Sequence, residues 1–258
     1  MSDFGVANKN VFESKDIVKD YAEQQYLFEP ERVILEKFRS EMKYMRMLDI
    51  GVGAGRTTNY FANLAKEYVG IDYSTGMINA SKQRFRNTNA NISFKVCDAR
   101  SLTPFEDDYF DFVLFSFNGI DCIGHEDRLK AFREMHRVGK NGAFLFFSTH
   151  NLESIDNLFE VRLSIHPIKL IAELKRNVLI RILNKNPKKL KSMKYAVIND
   201  GVHDFRIKLY YIKPAEQIKQ LEDSGFSNIV TYSLSEKETI GTCIWVDDWI
   251  YFLCNICK

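Results

Sequence analysis

The stretch Met47-Leu48-Asp49-Ile50-Gly51-Val52-Gly53-Ala54-Gly55-Arg56 decides how the rest of the chain is read. An apolar run carries an acid near its end, a glycine-rich turn follows, and an amphipathic segment opens at about Thr57. Glycine at Gly51, Gly53 and Gly55 lets the backbone turn sharply and approach a ligand closely. Outward from this point short apolar runs alternate with amphipathic segments. Residues 44–50, 68–71, 92–96, 110–117 and 143–148 read as strands, and residues 57–67, 76–85 and 126–138 as helices between them. Strand alternating with helix implies an α/β chain with a doubly wound, mostly parallel sheet joined by right-handed crossovers.

Residues 1–43 read as helical, with Ile17, Tyr21, Tyr26, Ile34, Leu35 and Phe38 spaced along polar stretches. After residue 150 the alternation breaks. Residues 161–195 hold ten Lys/Arg against one acid, Glu173, leaving +9; since the whole chain has 36 Lys+Arg, 34 Asp+Glu and a charge of +2, the remainder carries −7. Leu170, Leu174, Leu179 and Leu183 read as an apolar stripe packing this segment on the sheet domain. The pattern resumes at Lys213-Pro214-Ala215, a helix start with proline in the first turn, and stops at Ser224-Gly225. Residues 227–234 and 249–254 then read as closing strands. The expected organisation is therefore a helical lid (1–43), a core (44–150), an inserted helical, basic cap (151–212) and a C-terminal return to the core (213–258).

At 258 residues, 45% apolar and 27% charged, the chain has the composition of a globular protein, and 13 Gly with 5 Pro exclude collagenous or low-complexity character. No apolar run nears the ~18 residues a membrane span needs. Met1-Ser2-Asp3-Phe4-Gly5 carries no export-signal pattern, and five scattered cysteines (Cys97, Cys122, Cys243, Cys254, Cys257) suggest free thiols, so a cytoplasmic location is expected. Cys254-Asn255-Ile256-Cys257 offers two ligands where a structural zinc needs four, so no metal is expected.

Two further acids join the glycine turn. Asp72 ends the next apolar run, 21 residues after Gly51, where a carboxylate can accept hydrogen bonds from two ribose hydroxyls. Asp98 follows the third run, within reach of an adenine amino group. Three acids at three successive strand ends point to an adenosine ligand in the crevice outside the strand ends. The sixth position of a dinucleotide fingerprint would be glycine and is Arg56, and the Gly-Lys-Ser/Thr of a phosphate loop is missing.

Gly-x-Gly-x-Gly after an acid-tipped strand resembles motif I of the class I S-adenosylmethionine-dependent methyltransferases, and the resemblance extends over residues 44–150. Val69-Gly70-Ile71-Asp72-Tyr73-Ser74 is similar to motif II, Cys97-Asp98-Ala99 to motif III and Phe110-Asp111-Phe112-Val113-Leu114-Phe115-Ser116 to motif IV. His136-Arg137-Val138-Gly139-Lys140-Asn141-Gly142 is similar to the turn before the family's fifth strand. The resemblance implies a seven-stranded Rossmann-like sheet whose last strand is antiparallel. It also implies a site that binds S-adenosyl-L-methionine and releases S-adenosyl-L-homocysteine. Gly51 and Gly53 would then line the methionine part, Gly55 would belong to the same cofactor-binding turn, and Asp49 would lie near the ammonium. Asp72 would hold the ribose, Tyr73 and Met77 would pack on the adenine, Asp98 with Ala99 would address its amino edge, Ser116 would complete the set, and Tyr21 would lie over it as a lid.

For the acceptor, Asp121 and His150 are the first base candidates, each just past a strand, and His203 with Asp204 in the cap follow. Ser116-Phe117-Asn118-Gly119 departs from the Asn/Asp-Pro-Pro-Tyr/Phe of nucleic-acid amine methyltransferases, and the Pro-Cys nucleophile of cytosine enzymes is missing, which argues against nucleic acid. A small-molecule or sugar acceptor is expected, anionic if the basic segment faces it, such as a phosphorylated metabolite, nucleotide sugar or glycan. The rivals are an RNA or protein methyltransferase docking through residues 161–195, a non-catalytic module of the same fold, an NAD-dependent oxidoreductase, or peripheral membrane contact by the basic segment.

Overall fold

The computed structural model describes residues 3–88, 91–234 and 247–258, so Met1, Ser2 and Cys243 lie outside the described residues. Three N-terminal helices, α1 (Asp3–Phe12), α2 (Lys15–Glu23) and α3 (Glu29–Phe38), precede β1 (Arg46–Ile50). There follow α4 (Thr58–Phe61), β2 (Glu67–Asp72), α5 (Thr75–Arg84), β3 (Ile92–Val96), β4 (Phe110–Phe115), α6 (His125–Val138) and β5 (Gly139–Asn151). The segment after β5 holds α7 (Asp156–Phe159), α8 (Pro167–Leu183), α9 (Pro187–Lys191), β6 (Tyr195–Ile198) and β7 (Leu209–Ile212). The described chain closes with α10 (Pro214–Asp223), β8 (Phe226–Ser233) and β9 (Trp249–Ile256).

The sheet runs β3-β2-β1-β4-β5, all parallel, and continues through β9, antiparallel to β5, to β8. That is the doubly wound, seven-stranded, mostly parallel arrangement with an antiparallel last strand. Two more strands join it. His150 pairs with Trp249 of β9 on one edge and with Tyr211 of β7 on the other, so β7 takes the lane that β4 leaves after Phe115, and β6 pairs antiparallel with β7. The insertion is therefore not purely helical. Its two strands are four residues each, Tyr-Ala-Val-Ile and Leu-Tyr-Tyr-Ile, too short for a period to stand out in sequence.

Alternation along each strand divides the core. On one face Leu48, Ile50, Val69, Val113 and Phe147 pack under α6 and α10. On the other, Met47, Tyr68, Phe112, Leu114 and Phe146 pack with Ile34, Leu35 and Phe38 of α3. A third cluster, with Leu152, Ile180, Ile198, Ile207 and Leu209, organises the insertion. The helix expected over 57–67 is a single turn, because Lys66 N–H is drawn away to the carbonyls of Met42 and Met45 and β2 starts at Glu67. The leucine stripe expected to pack the insertion also fails: Leu174, Leu179 and Leu183 are exposed, and α8 turns Asn177 and Ile180 inward instead. At about 100° per residue the four leucines spread around more than half the helix.

Candidate active site

The strand ends open into one cavity. Its floor is the loop after β1, with Gly51 and Gly53, and the tip of β2, with Asp72, Tyr73 and, from α5, Met77. Gly51 has φ +63°, and a Cβ there would stand 2.9 Å from a ring carbon of Phe115, so only glycine turns the chain here without clash. Gly55 does a different job. It does not line the cavity; it lets the ring of Phe85, the residue that follows α5, close in to 2.4 Å of where a Cβ would be.

Asp72 is the hub of the floor. Gly53 N–H donates to its Oδ2 (3.0 Å) and Ser74 N–H to its Oδ1 (2.8 Å). Each oxygen keeps a further acceptor site. Burial pushes its pKa up to about 6, against the pull of those two donors. Asp49, on the α3 face of β1, is fully buried and likewise pushed up to about 6 by burial, although Thr57 Oγ1 (2.5 Å) and the Tyr68 hydroxyl both donate to its Oδ2. It borders a smaller recess beside Gly51, Gly53 and Ser116.

Asp98 is placed differently from expectation. Ala99 and Cys97 line the cavity and Asp98 does not. Its carboxylate is clamped by Arg100, through Nε (2.8 Å), Nη2 (2.5 Å) and the backbone N–H (3.0 Å), and Arg100 also reaches Asp127. An arginine two residues on competes for the carboxylate that was assigned to adenine.

The far wall is aromatic. Phe117 and Trp249 pack 5.5 Å apart between ring centroids, Phe28 stacks on Phe117 at 5.6 Å, and Tyr21 and His203 lean on each other at 6.0 Å. Tyr21 from α2 and Phe12 from α1 line the cavity on the lid side; Val202, His203, Ile207 and Leu209 line it from the insertion. None of the lining side chains among the described residues is Lys or Arg.

His150, at the end of β5, lines this wall. Asp121 does not: it is completely buried behind the histidine. Its Oδ2 accepts from His150 Nδ1 (2.6 Å) and from His150 backbone N–H (2.7 Å), and its Oδ1 from Thr149 Oγ1 (2.6 Å) and Arg128 Nη1 (2.5 Å). A carboxylate on Nδ1 fixes the proton there and leaves the Nε2 lone pair outward, 3.4 Å from Asn118 Nδ2. Of the two leading base candidates, one therefore faces the cavity and the other orients it. His203 also faces the cavity, with its pKa lowered by burial and by Arg206, and its Nε2 has no partner among the described residues. Asp204, paired with it in the expectation, does not line the cavity.

Several site residues escaped sequence reasoning. Asn118 is one: left-handed backbone at Phe117 and Asn118 (φ +55° each) ends β4 and turns Asn118 into the cavity, where its buried Oδ1 has no partner among the described residues. The Asn-Gly pair at 118–119 was its only signal. Glu31 is another. Both its oxygens are bound by Arg56 (2.6 and 2.7 Å), Phe28 N–H caps onto it (2.9 Å), and Ser116 Oγ donates to it. This network ties α3 to the glycine turn, with the Arg56 guanidinium 5.2 Å from the Phe117 ring centroid. Burial alone would lower the pKa of Arg56, but the Glu31 carboxylate raises it instead.

The floor suits S-adenosylmethionine: an acceptor-rich Asp72, a backbone approach at Gly51 and Gly53, an apolar slot at Tyr73, Met77 and Ala99, and Asp49 beside the recess. Residues 48–147 match the methyltransferase-domain family. The ubiquinone/menaquinone biosynthesis C-methyltransferase UbiE of Vibrio parahaemolyticus is 32% identical over 141 residues, 51% of this chain and 52% of that protein. The demethylmenaquinone methyltransferase of Renibacterium salmoninarum is 36% identical over 100 residues, 39% of each chain. The chain thus spans about half the length of the curated relatives it matches. Among solved structures, PH0226 of Pyrococcus horikoshii superposes with TM-score 0.60 at 19% identity, covering 95% of this chain and 92% of that one. A Haemonchus contortus phosphoethanolamine N-methyltransferase, solved with phosphomonomethylethanolamine and S-adenosylhomocysteine, superposes with TM-score 0.62 at 18% identity, covering 100% of this chain and 61% of that one. Residues 48–147 thus carry the likeness to a methyltransferase domain, and the fold around them is shared with solved S-adenosylmethionine-dependent methyltransferases.

Proposed function

We propose that this chain transfers a methyl group from S-adenosylmethionine to a planar, largely apolar aromatic acceptor, a quinol-like ring, with His150 as the proton acceptor and residues 1–43 and 151–212 closing over the pair. The observation that carries the reading is one cavity with Gly51, Gly53, Asp72, Tyr73 and Met77 on its floor and, on its aromatic wall, a histidine oriented by a buried carboxylate. S-adenosylmethionine would supply a methyl group already activated on a sulfonium. What remains for the chain is alignment, exclusion of water and an outlet for the proton that the acceptor loses.

Asp72 would hold the ribose, while Tyr73, Met77 and Ala99 would enclose the adenine. Asp49 lies near enough to the glycine turn to face the ammonium. Phe117 and Trp249 offer flat faces against which an aromatic ring stacks. His150 Nε2 is then placed to take a hydroxyl or ring proton, and Asp121 stabilises the imidazolium that results. Asn118 Oδ1 and His203 Nε2 supply unmet polar positions for the acceptor's oxygens. The quinone-biosynthesis names of the partial relatives agree with such an acceptor. The anionic or sugar acceptor expected from residues 161–195 finds no cationic wall to meet it.

Titration with S-adenosylhomocysteine should show saturable binding. The protein with S-adenosylmethionine and a soluble naphthoquinol should release methylated product, and a phosphorylated amine should not. His150→Ala should lower kcat about 10²–10⁴-fold while leaving the affinity for S-adenosylhomocysteine near that of the unaltered chain. Folded protein without affinity for S-adenosylhomocysteine, or a His150→Ala variant with unchanged kcat, would overturn the reading.

A further inference from the structure

Helix α8 carries most of its apolar side chains on its outer face. Its inward face is narrow and only partly apolar: Ile180 is completely buried, while Asn177 beside it is buried and donates to the Phe159 carbonyl (2.7 Å), and Arg181 reaches the same carbonyl (2.9 Å). Its outward face is apolar. Ile168 is 84% exposed and Ile182 71%, with Ile171, Leu174 and Val178 exposed between them. At 3.6 residues per turn these five fall on one continuous stripe turned to solvent. The approach to the helix adds Leu163 and Ile165, also exposed. An ordinary surface helix has the opposite arrangement, so this face has a partner.

The charge around the stripe says what kind. Lys175 interrupts it, Lys169 and Arg181 flank it, and Lys188 and Lys189 follow in α9. None of Lys169, Lys175, Lys188 and Lys189 has an ion-pair partner among the described residues. A twofold contact with a second copy would bring these cations against their own duplicates in a desolvated interface, which is costly. An anionic bilayer meets both features: the isoleucines enter the boundary between headgroups and acyl chains, and the lysines stay among the phosphates. The helix has 17 residues, and no helix among the described residues is long and apolar enough to cross a membrane, so the contact lies in the plane of the surface.

We propose that α8 docks this chain on an anionic lipid surface. The segment that carries α8 also carries Val202, His203, Ile207 and Leu209 of the cavity wall, so docking would bring the acceptor end of the site to the membrane. This goes beyond the methyltransferase reading and does not rest on it, because vesicle binding is read without turnover.

The test is sedimentation of the full chain with vesicles of phosphatidylcholine alone and of phosphatidylcholine with phosphatidylglycerol, at low and high salt. Binding to the anionic vesicles should exceed binding to the neutral ones and weaken with salt. The double variant Ile171→Glu/Ile182→Glu, altered at two exposed positions, should lose binding by about tenfold or more and keep its melting temperature. Folded protein that ignores anionic vesicles would overturn the proposal, and so would a double variant that binds them equally. A concentration-dependent dimer that the same variant dissolves, without vesicle binding, would assign the face to a second copy and also overturn it.

Discussion

Asp72 and Asp49 carry a conflict that pH exposes. Both are pushed up to about 6 by burial, from an ordinary value of 3.8. A folded-state pKa above the unfolded one stabilises the fold below about pH 3.8, and that stabilisation is lost as pH rises through about 6. Ligand binding runs the other way, since a ribose needs the ionised carboxylate of Asp72 as acceptor. The affinity for S-adenosylhomocysteine should therefore fall as pH drops below about 6, by about tenfold per pH unit for each acid that must be ionised. Asp72→Asn should bind weakly at neutral pH and lose one proton from that slope, measured by calorimetric titration across the range. An unchanged slope would remove Asp72 from the site. Asp72 was legible in sequence because strand ends can be counted from the glycine turn. The competition for Asp98 was not, since whether Arg100 turns onto it is a rotamer and not a pattern. Asp121 and His150 were found as residues, but which one faces the cavity depends on the turn after β4 meeting the end of β5, 29 positions apart.

Elements were readable where their period was long and failed where tertiary bonds cut them short. The parallel strands showed as near-continuous apolar runs, as strands buried on both faces must. The turn of α4 did not, because the chain leaves it for contacts with Met42 and Met45. Nor could the sequence show that α3 is bolted to the glycine turn by Glu31 and Arg56, which are 25 residues apart and completely or nearly buried. This pair makes a stability prediction. Arg56→Ala leaves the Glu31 carboxylate buried with its main partner gone, and should cost about 3–5 kcal/mol in a denaturant titration. Replacing both, as Arg56→Met with Glu31→Leu, should cost less than Arg56→Ala alone, because no buried charge is then left unpaired. If the double variant is the less stable of the two, the pair contributes more than its desolvation consumes.

On the scale of the whole molecule, the cavity is closed by chain segments far apart in sequence. Asn8 of α1 is completely buried, and its side chain donates to the carbonyls of Lys208 (2.7 Å) and Cys122 (3.1 Å) and accepts from Lys208 N–H (3.1 Å). Val11 and Phe12 pack on the same hydrophobic cluster as Ile207 and Leu209. The N-terminal helices and the insertion are thus tied together by Asn8, a residue that nothing in the sequence singles out. Because one buried side chain bonds to both segments, any movement of one should carry the other with it. Hydrogen exchange should therefore show S-adenosylhomocysteine slowing amides of α1 and α2 in step with those of residues 201–209. Asn8→Ala strands the Lys208 and Cys122 backbone groups, which should cost about 1–3 kcal/mol and speed exchange in both segments even without ligand. Protection confined to one segment, or an Asn8→Ala effect confined to α1, would mean that the two segments move independently.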